Sequence, residues 1–397
     1  MQRIVVVGGS LAGVHAAEAL RERGFDGELT LVSAEPGLPY DRPPLSKELL
    51  LDGMTPEQLL LRPAPWYETQ GIALRLSTAA RGVDAGKGLL ALTDGSDLPY
   101  DGMVIATGSV ARRFSSVAAQ ARVHVLRTLD DALELRPELI PGRHLVMIGG
   151  GFVGLEVAAV ARRLGLDVTL IEGSPMPLAR AFGTEIGAWY RDLHEGNGVR
   201  MICGSSVESL QDSAGGVTLT LSSGERLSAD IVAAGIGATP AVDWLTGSAI
   251  EVTNGVTCTP ELLTSVPNIV AAGDVASWRN PVFDEEMRIE HWSNAVDQGR
   301  HAAATLLGER DPFASVPYFW TDQHDKKMRF VGRAAGATDI RIEKMSDDKL
   351  VATLGRDGLL IGALCVCAPR QLAKYKVAIQ NRTPWEATDA TRLAPAT

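Results

Sequence analysis

Apolar positions near the start of the chain follow two patterns in succession. Residues 4–7 (IVVV) are an unbroken β-branched run, which predicts a buried strand. A glycine turn follows, and then small and apolar residues on one face predict a helix to about Arg23. The run ELTLVSAE predicts a second strand. Residues 144–172 (HLVMIGGGFVGLEVAAVARRLGLDVTLIE) repeat this anatomy, with Arg162 and Arg163 on another face of the helix. Two strand–helix–strand units of this kind predict two nucleotide-binding domains of doubly wound type.

Further strands end in small-residue turns. DGMVIATGS (101–109) ends around Thr107 and Gly108, and DIVAAGIGATP (230–240) has the same shape around Gly237. VPNIVAAGDVA (266–276) is a strand that delivers a Gly-Asp pair, with Asp274 at its end. After Pro317 the glycine-rich turns stop. Short strand-like runs such as KLVATLG and LLIGALCVC take over.

Composition narrows the class. A chain of 397 residues holds two or three domains. A net charge of −10 argues against general binding to nucleic acid or anionic membranes, though it leaves room for a local basic patch. No apolar stretch approaches the roughly 18 residues of a membrane span, and the chain enters its first strand without a signal-peptide pattern. The expectation is a cytoplasmic protein with no membrane and no nucleic-acid partner. The cysteines, Cys203, Cys258, Cys365 and Cys367, include no C-x-x-C and no cluster with histidine. Neither a zinc site nor a flavin enzyme relaying electrons through paired cysteines is expected.

The glycine turns carry chemistry. In G-x-G-x-x-G the first glycine allows the tight turn, the second lets backbone N–H groups approach a pyrophosphate, and the third lets helix and strand pack closely. The helix N-terminus then offers unpaired N–H groups to phosphates. The second copy has all three, Gly149, Gly151 and Gly154; the first has Gly8, Ser10 and Gly13. Serine is small and its hydroxyl can donate to a phosphate, so the site survives the exchange. Glu172 closes the second strand of the later copy, where a carboxylate accepts from ribose hydroxyls and repels a 2′-phosphate, favouring NADH. In the first copy the corresponding candidate is Glu35, or a residue one or two positions away.

With these motifs in hand, the chain resembles the NADH-dependent, putidaredoxin reductase-like ferredoxin reductases of the FAD-dependent pyridine nucleotide-disulfide oxidoreductase superfamily. PYDRPPLSKELL (39–50), LRTLDDA (126–132), the second glycine fingerprint, VPNIVAAGDVA, RIEHWSNAVDQG (288–299) and YFWTDQHD (318–325) carry the resemblance, which covers nearly the whole chain. It implies an α/β, glutathione reductase-like fold: two Rossmann-like nucleotide-binding domains plus a small α+β C-terminal domain. FAD would be held by residues 1–110 and 240–316, NADH by 111–239, and 317–397 would form the C-terminal interface domain.

The resemblance also assigns residues. Gly8, Ser10, Ala12, Gly13 and Glu35 would hold the ADP half of FAD, with Arg42 and Arg127 near its phosphates or adenine and Ala80 at the adenine end. Thr107, Gly108 and Asp274 would complete the FAD contacts, Asp274 on the ribityl chain. Trp292 would lie by the pyrimidine edge of the ring, and Trp320 near the flavin. Gly149, Gly151, Gly154, Glu172, Arg180 and Gly237 would bind NADH. Lys47 and Glu156 would sit beside the isoalloxazine, the lysine stabilising negative charge on reduced flavin and the glutamate, in the first turn of its helix, pairing with it. His291 is a tempting acid–base group, but hydride transfer needs none.

The implied activity is hydride transfer from NADH to FAD, then single-electron delivery to a small iron–sulfur ferredoxin serving a monooxygenase or dioxygenase. Arg310, Lys326, Lys327 and Arg329, with Lys374 and Lys376, are the basic residues expected on the acceptor rim. Two other readings stay open: an NADH oxidase or small-acceptor reductase, and an NADH-sensing flavoprotein of the apoptosis-inducing-factor type.

Overall fold

The computed structural model describes residues 1–51, 53–113, 123–213, 215–346 and 348–388. The chain forms two compact units. One comprises Met1–Asp41, Leu59–Val110 and Thr239–Phe319; the other comprises Arg42–Gln58, Ala111–Ala238 and Trp320–Thr397.

In the first unit, five parallel strands lie in the order Ile269–Ala271, Gly102–Ile105, Arg3–Val7, Glu28–Val32 and Ile72–Arg75. Val6, Val104 and Val270 are adjacent in register and fully buried. This is the environment a continuous β-branched run suits, because a parallel sheet is covered on both faces. Asp101 fixes the entry to the first strand. Its carboxylate accepts from the Gln2 and Arg3 backbone N–H groups at 2.8 and 2.9 Å and pairs with the Arg3 guanidinium at 2.8 Å. These donors hold its carboxyl well below the usual carboxylate range.

Helix Leu11–Glu22 connects two of these strands, and helix Trp292–Leu306 packs on it. A Cβ on Gly299 would lie 2.4 Å from the Ala12 carbonyl oxygen, so only glycine lets the two backbones meet so closely. Smaller antiparallel sheets, Ala80–Asp84 with Leu89–Leu92 and Asp97–Pro99, and a four-stranded sheet including Ala276–Asn280 and Glu285–Arg288, complete the unit.

The second unit repeats the parallel pattern in the order Val199–Cys203, Asp167–Glu172, His144–Ile148, Ile231–Ala234 and Val123–Val125. An antiparallel sheet of Val207–Ser213, Gly216–Leu221 and Arg226–Ala229 packs its apolar face onto it, with Leu210, Leu219 and Val217 buried against Val146 and Val232. A further sheet runs Tyr318–Gln323, Lys326–Gly332, Leu359–Val366, Leu350–Arg356 and Asp339–Met345, with helix Leu372–Gln380 beside it.

Helix Ala179–Gly196 joins the two parts. Phe182 meets Phe330 edge-on with ring centroids 5.2 Å apart, and the Trp189 indole donates to the Ser346 carbonyl at 3.0 Å. The C-terminal sheet therefore shares a core with the second parallel-sheet module, and the segment Arg42–Gln58 belongs to the same unit. Among the described residues no helix is long and apolar enough to cross a membrane.

Candidate active site

The two glycine turns have the same construction. A Cβ on Gly8 would lie 2.1 Å from the Ala106 carbonyl oxygen, and one on Gly149 would lie 2.4 Å from that of Gly235. A Cβ on Gly13 or Gly154 would meet the first glycine's own carbonyl oxygen at 1.9 or 2.0 Å. Packing therefore dictates the first and third glycines. The second position differs, because a Cβ on Gly151 would meet nothing within 4 Å. The fold places no demand there, which explains why Ser10 stands at the matching N-cap without distorting the turn. The first intrahelical bonds run from Val14 to the Ser10 carbonyl and from Leu155 to the Gly151 carbonyl, at 2.9 and 3.0 Å. The N–H groups of the first turn have no intrahelical acceptor, which is the donor set a pyrophosphate uses at a helix N-terminus.

Glu172 is buried at its strand end. Its Oε2 accepts from the Gly150 N–H at 2.7 Å and its Oε1 from the Ser174 N–H at 2.6 Å. Arg180 reaches the same loop, donating to the Ser174 hydroxyl at 3.3 Å. Gly237, in the left-handed region, lies in the turn after strand Ile231–Ala234, and its carbonyl accepts from the Arg112 N–H at 2.9 Å.

In the first copy the sheet register puts Ser33 where the second has Glu172: Val7 pairs with Val32 as Ile148 pairs with Ile171. A Cβ on Gly9 would meet the Ser33 Cβ at 2.6 Å, as one on Gly150 would meet the Glu172 Cβ at 3.2 Å. Glu35 lies two residues further on and accepts from the Tyr40 hydroxyl at 2.5 Å. Ser33, buried and polar, is the residue the sequence did not single out.

Asp274 stands in a short 3₁₀ turn, Gly273–Val275, just past Ile269–Ala271. Its Oδ2 accepts from the Ser109 hydroxyl at 3.1 Å, and Arg288 donates to its carbonyl at 2.8 Å. Thr107 and Gly108 lie beside it in the chain fold, both bonded to Ala241, at 2.8 and 3.0 Å. Ala80 opens the strand Ala80–Asp84. The Trp292 indole donates to Asp41 Oδ1 at 2.8 Å, which gives that side chain a structural bond at the helix start. Nearby in the same helix, Gln298 is fully buried; its Oε1 accepts from the Gly273 N–H at 2.9 Å while its Nε2 has no protein partner. His291 Nδ1 is likewise buried without a partner, and burial pushes its imidazole down to about 4. It is neutral near pH 7, so it is not the imidazolium that acid catalysis would need. A polar ligand that meets these buried donors and the Gly8–Gly13 turn fits the donor set of an FAD site.

Lys47, Glu156 and their neighbours form one cluster in the second unit. Lys47 caps a 3₁₀ turn, Pro43–Ser46, and its Nζ lies 2.9 Å from Glu156 Oε2 and 3.1 Å from the Pro43 carbonyl. The Ser46 hydroxyl donates to Glu156 Oε2 at 2.5 Å and the Thr321 hydroxyl to Oε1 at 2.5 Å. Glu156 is the fifth residue of helix Phe152–Arg163, not in its first turn, so these donors rather than the helix dipole hold its charge. Ser46 and Thr321 are further residues that sequence reasoning missed. Trp320 alternates with Thr321 along its strand and therefore faces the other side of the sheet.

Arg42 Nη1 donates to the Arg127 carbonyl at 2.5 Å. LRTLDDA is a capping box: the Thr128 hydroxyl accepts from the Asp131 N–H at 3.1 Å while Asp131 accepts from the Thr128 N–H at 2.8 Å. On the expected acceptor rim, Lys326 is ion-paired with Asp325 at 2.8 Å and Asp348 at 2.9 Å, so most of its charge is offset. Lys327, Lys374 and Lys376 are exposed and Arg329 is half-buried. Arg310 donates to the Thr305 and Glu309 carbonyls, both at 2.7 Å.

Known proteins resemble this chain over nearly its whole length. The family described as pyridine nucleotide-disulphide oxidoreductase matches residues 2–299, and the reductase C-terminal family matches 318–395. The ferredoxin–NAD(+) reductase component of the anthranilate 1,2-dioxygenase system of Burkholderia cepacia is 37% identical over 371 residues, 93% of this chain and 91% of that protein. The corresponding component of the p-cumate 2,3-dioxygenase system of Pseudomonas putida is 37% identical over 399 residues, 100% of this chain and 97% of its own. Among solved structures, the covalent putidaredoxin reductase–putidaredoxin complex superposes with a TM-score of 0.93 at 33% identity, covering 96% of this chain and 94% of that one.

Proposed function

The chain belongs to the pyridine nucleotide-disulphide oxidoreductase family, on its ferredoxin–NAD(+) reductase branch, and from that premise we propose that it is an NADH:ferredoxin oxidoreductase serving an oxygenase. Its partners are an iron–sulfur ferredoxin and, through it, a monooxygenase or dioxygenase, and it works in the cytoplasm. FAD held at the Gly8–Gly13 turn would supply the chemistry that takes up a hydride from NADH and releases the electrons one at a time.

The observation that carries this reading is the pair of glycine turns of one construction in a chain whose four cysteines are all free. Two dinucleotides are accommodated, and no disulfide stands between the flavin and the acceptor. The FAD domain comprises residues 1–110 and 240–316, the NADH domain 111–239, and the C-terminal interface domain 317–397.

The residues take the following parts. Gly8, Ser10, Ala12 and Gly13 present the helix N-terminus to the FAD pyrophosphate, and Ser33 or Glu35 lies by its ribose. Arg42, Ala80, Thr107, Gly108, Arg127, Asp274, Trp292 and Trp320 complete the FAD site. Gly149, Gly151, Gly154 and Gly237 admit NADH, Arg180 clamps it, and Glu172 accepts from its ribose hydroxyls. Lys47 places a positive charge by the isoalloxazine, and Glu156 orients that lysine while offsetting its charge, so that neither stands alone in a half-buried place.

The test is the cofactor itself. The purified protein is expected to carry one tightly held FAD per chain, bleached by NADH under anaerobic conditions. FMN in its place, or no flavin after supplementation with FAD, refutes the proposal.

A further inference from the structure

Behind the Lys47–Glu156 pair runs a line of polar side chains that the activity just proposed does not use. All of its members lie in the second unit. Thr321 and Gln323 alternate inward along strand Tyr318–Gln323, each 1% exposed. Gln323 Nε2 is 3.3 Å from Thr321 Oγ1 and its Oε1 is 3.0 Å from His194 Nε2. His194, fully buried near the end of helix Ala179–Gly196, has its Nδ1 3.2 Å from His324 Nε2. His324 sits at the turn after that strand and is half-buried.

The chemistry of one end fixes every link. Glu156, as the ionised partner of Lys47, can only accept. The Thr321 hydroxyl, 2.5 Å away, must therefore spend its single hydrogen on Glu156 Oε1. Its oxygen then has to accept from Gln323, which turns the amide NH₂ toward Thr321 and the amide oxygen toward His194. His194 must accordingly carry its hydrogen on Nε2, leaving Nδ1 an acceptor for the His324 Nε2–H. Four groups thus donate in one direction, toward one carboxylate. Bonds aligned in this way polarise one another in a low-dielectric interior. Burial pushes His194 down to about 4, so the neutral form this arrangement needs is the form present near pH 7.

We propose that His194 and Gln323 are positioning residues for the Lys47–Glu156 pair, acting through Thr321 in a one-directional chain of hydrogen bonds that begins at His324. This rests on the reading that the pair serves the flavin. Without the chain, Thr321 is free to turn its hydrogen elsewhere. Glu156 Oε1 then loses its donor, the carboxylate rotates, and Lys47, which shares the other oxygen with Ser46, loses its fixed place.

Two measurements test it. The first needs no variant: ¹⁵N-histidine NMR of the holoprotein is expected to show His194 neutral and protonated on Nε2. A hydrogen on Nδ1 overturns the chain. The second is a double-mutant cycle read by the two-electron midpoint potential of the bound flavin and by the rate of its reduction at saturating NADH. H194F is expected to shift the potential and slow reduction roughly fivefold, the worth of about one hydrogen bond. H194Q, which can still donate to Gln323, should recover most of both. In an E156Q background H194F should add little, because the charge that compels Thr321 to donate is gone and an amide can present its NH₂ to Thr321 instead. An effect of H194F that is absent, or equally large in both backgrounds, overturns the proposal. If E156Q itself leaves potential and rate unchanged, the reading of the pair fails and the proposal falls with it. If H194F does not fold, Q323L takes its place in the same cycle.

Discussion

Replacing Glu172 by glutamine is expected to narrow the preference for NADH over NADPH, and the structure sets how far. A 2′-phosphate carries about −1.5 to −2 charges. At roughly 4 Å from a carboxylate, each unit charge costs about 1 kcal/mol in bulk water and several times that at a partly buried site. The lower figure already gives ~1.5–2 kcal/mol, or more than tenfold in kcat/KM. Glu172 is 9% exposed, so screening removes little of it. The same carboxylate accepts from the Gly150 and Ser174 N–H groups. A glutamine can accept from one of these but must turn its NH₂ toward the other, leaving a buried donor unsatisfied at a cost of about 1–3 kcal/mol. E172Q should therefore lose some kcat/KM with NADH and some stability while its NADPH:NADH ratio rises about tenfold or more. Steady-state assays with both nucleotides, alongside urea unfolding, separate the two effects. A wild-type protein that uses NADPH as readily as NADH, or an E172Q ratio identical to wild type, refutes the ribose assignment.

Asp274→Ala should weaken FAD retention, seen as a lower flavin-to-protein ratio after gel filtration, and unchanged retention would remove Asp274 from the site. Because Lys326 is already paired with Asp325 and Asp348, Lys327→Glu is the cleaner probe of the acceptor rim. It should slow ferredoxin reduction a few-fold at low salt, with the loss fading as salt rises and ferricyanide reduction unaffected; equal rates at low salt would place docking elsewhere. His194 and His291 are both held down to about 4 from the usual 6.5. Between those values the unfolded chain binds more protons than the folded one, so stability should fall as pH drops from about 6.5 toward 4. Each histidine contributes about 1.4 kcal/mol per pH unit, and urea midpoints that stay level between pH 6.5 and 5 would contradict this.

The two strand–turn–helix units were legible because their requirements are local. An apolar run, a glycine turn and a small-faced helix lie within about thirty consecutive residues, and the family markers followed from there. Features set by sheet register or by distant segments were not. Whether Ser33 or Glu35 answers to Glu172 depends on a two-residue offset that the register decides. Ser46, Glu156, Thr321, Gln323 and His194 come from four separate stretches of chain, so nothing in the spacing of any one of them announces the others. Lys326 reads as a free cation in HDKKMR because Asp348, one of the carboxylates that offset it, lies past the end of the next strand, Asp339–Met345.

The central claim is that electrons enter as a hydride and leave singly to a ferredoxin. It is tested most directly by reducing the FAD-loaded protein anaerobically with NADH and mixing it with an oxidised iron–sulfur ferredoxin in a stopped-flow instrument. The account predicts that the flavin bleaches with one NADH and that two ferredoxin molecules are then reduced for each NADH consumed, at a rate that falls with rising salt. Flavin that is reduced by NADH but returns no electrons to any ferredoxin, while consuming oxygen rapidly on exposure to air, would contradict it.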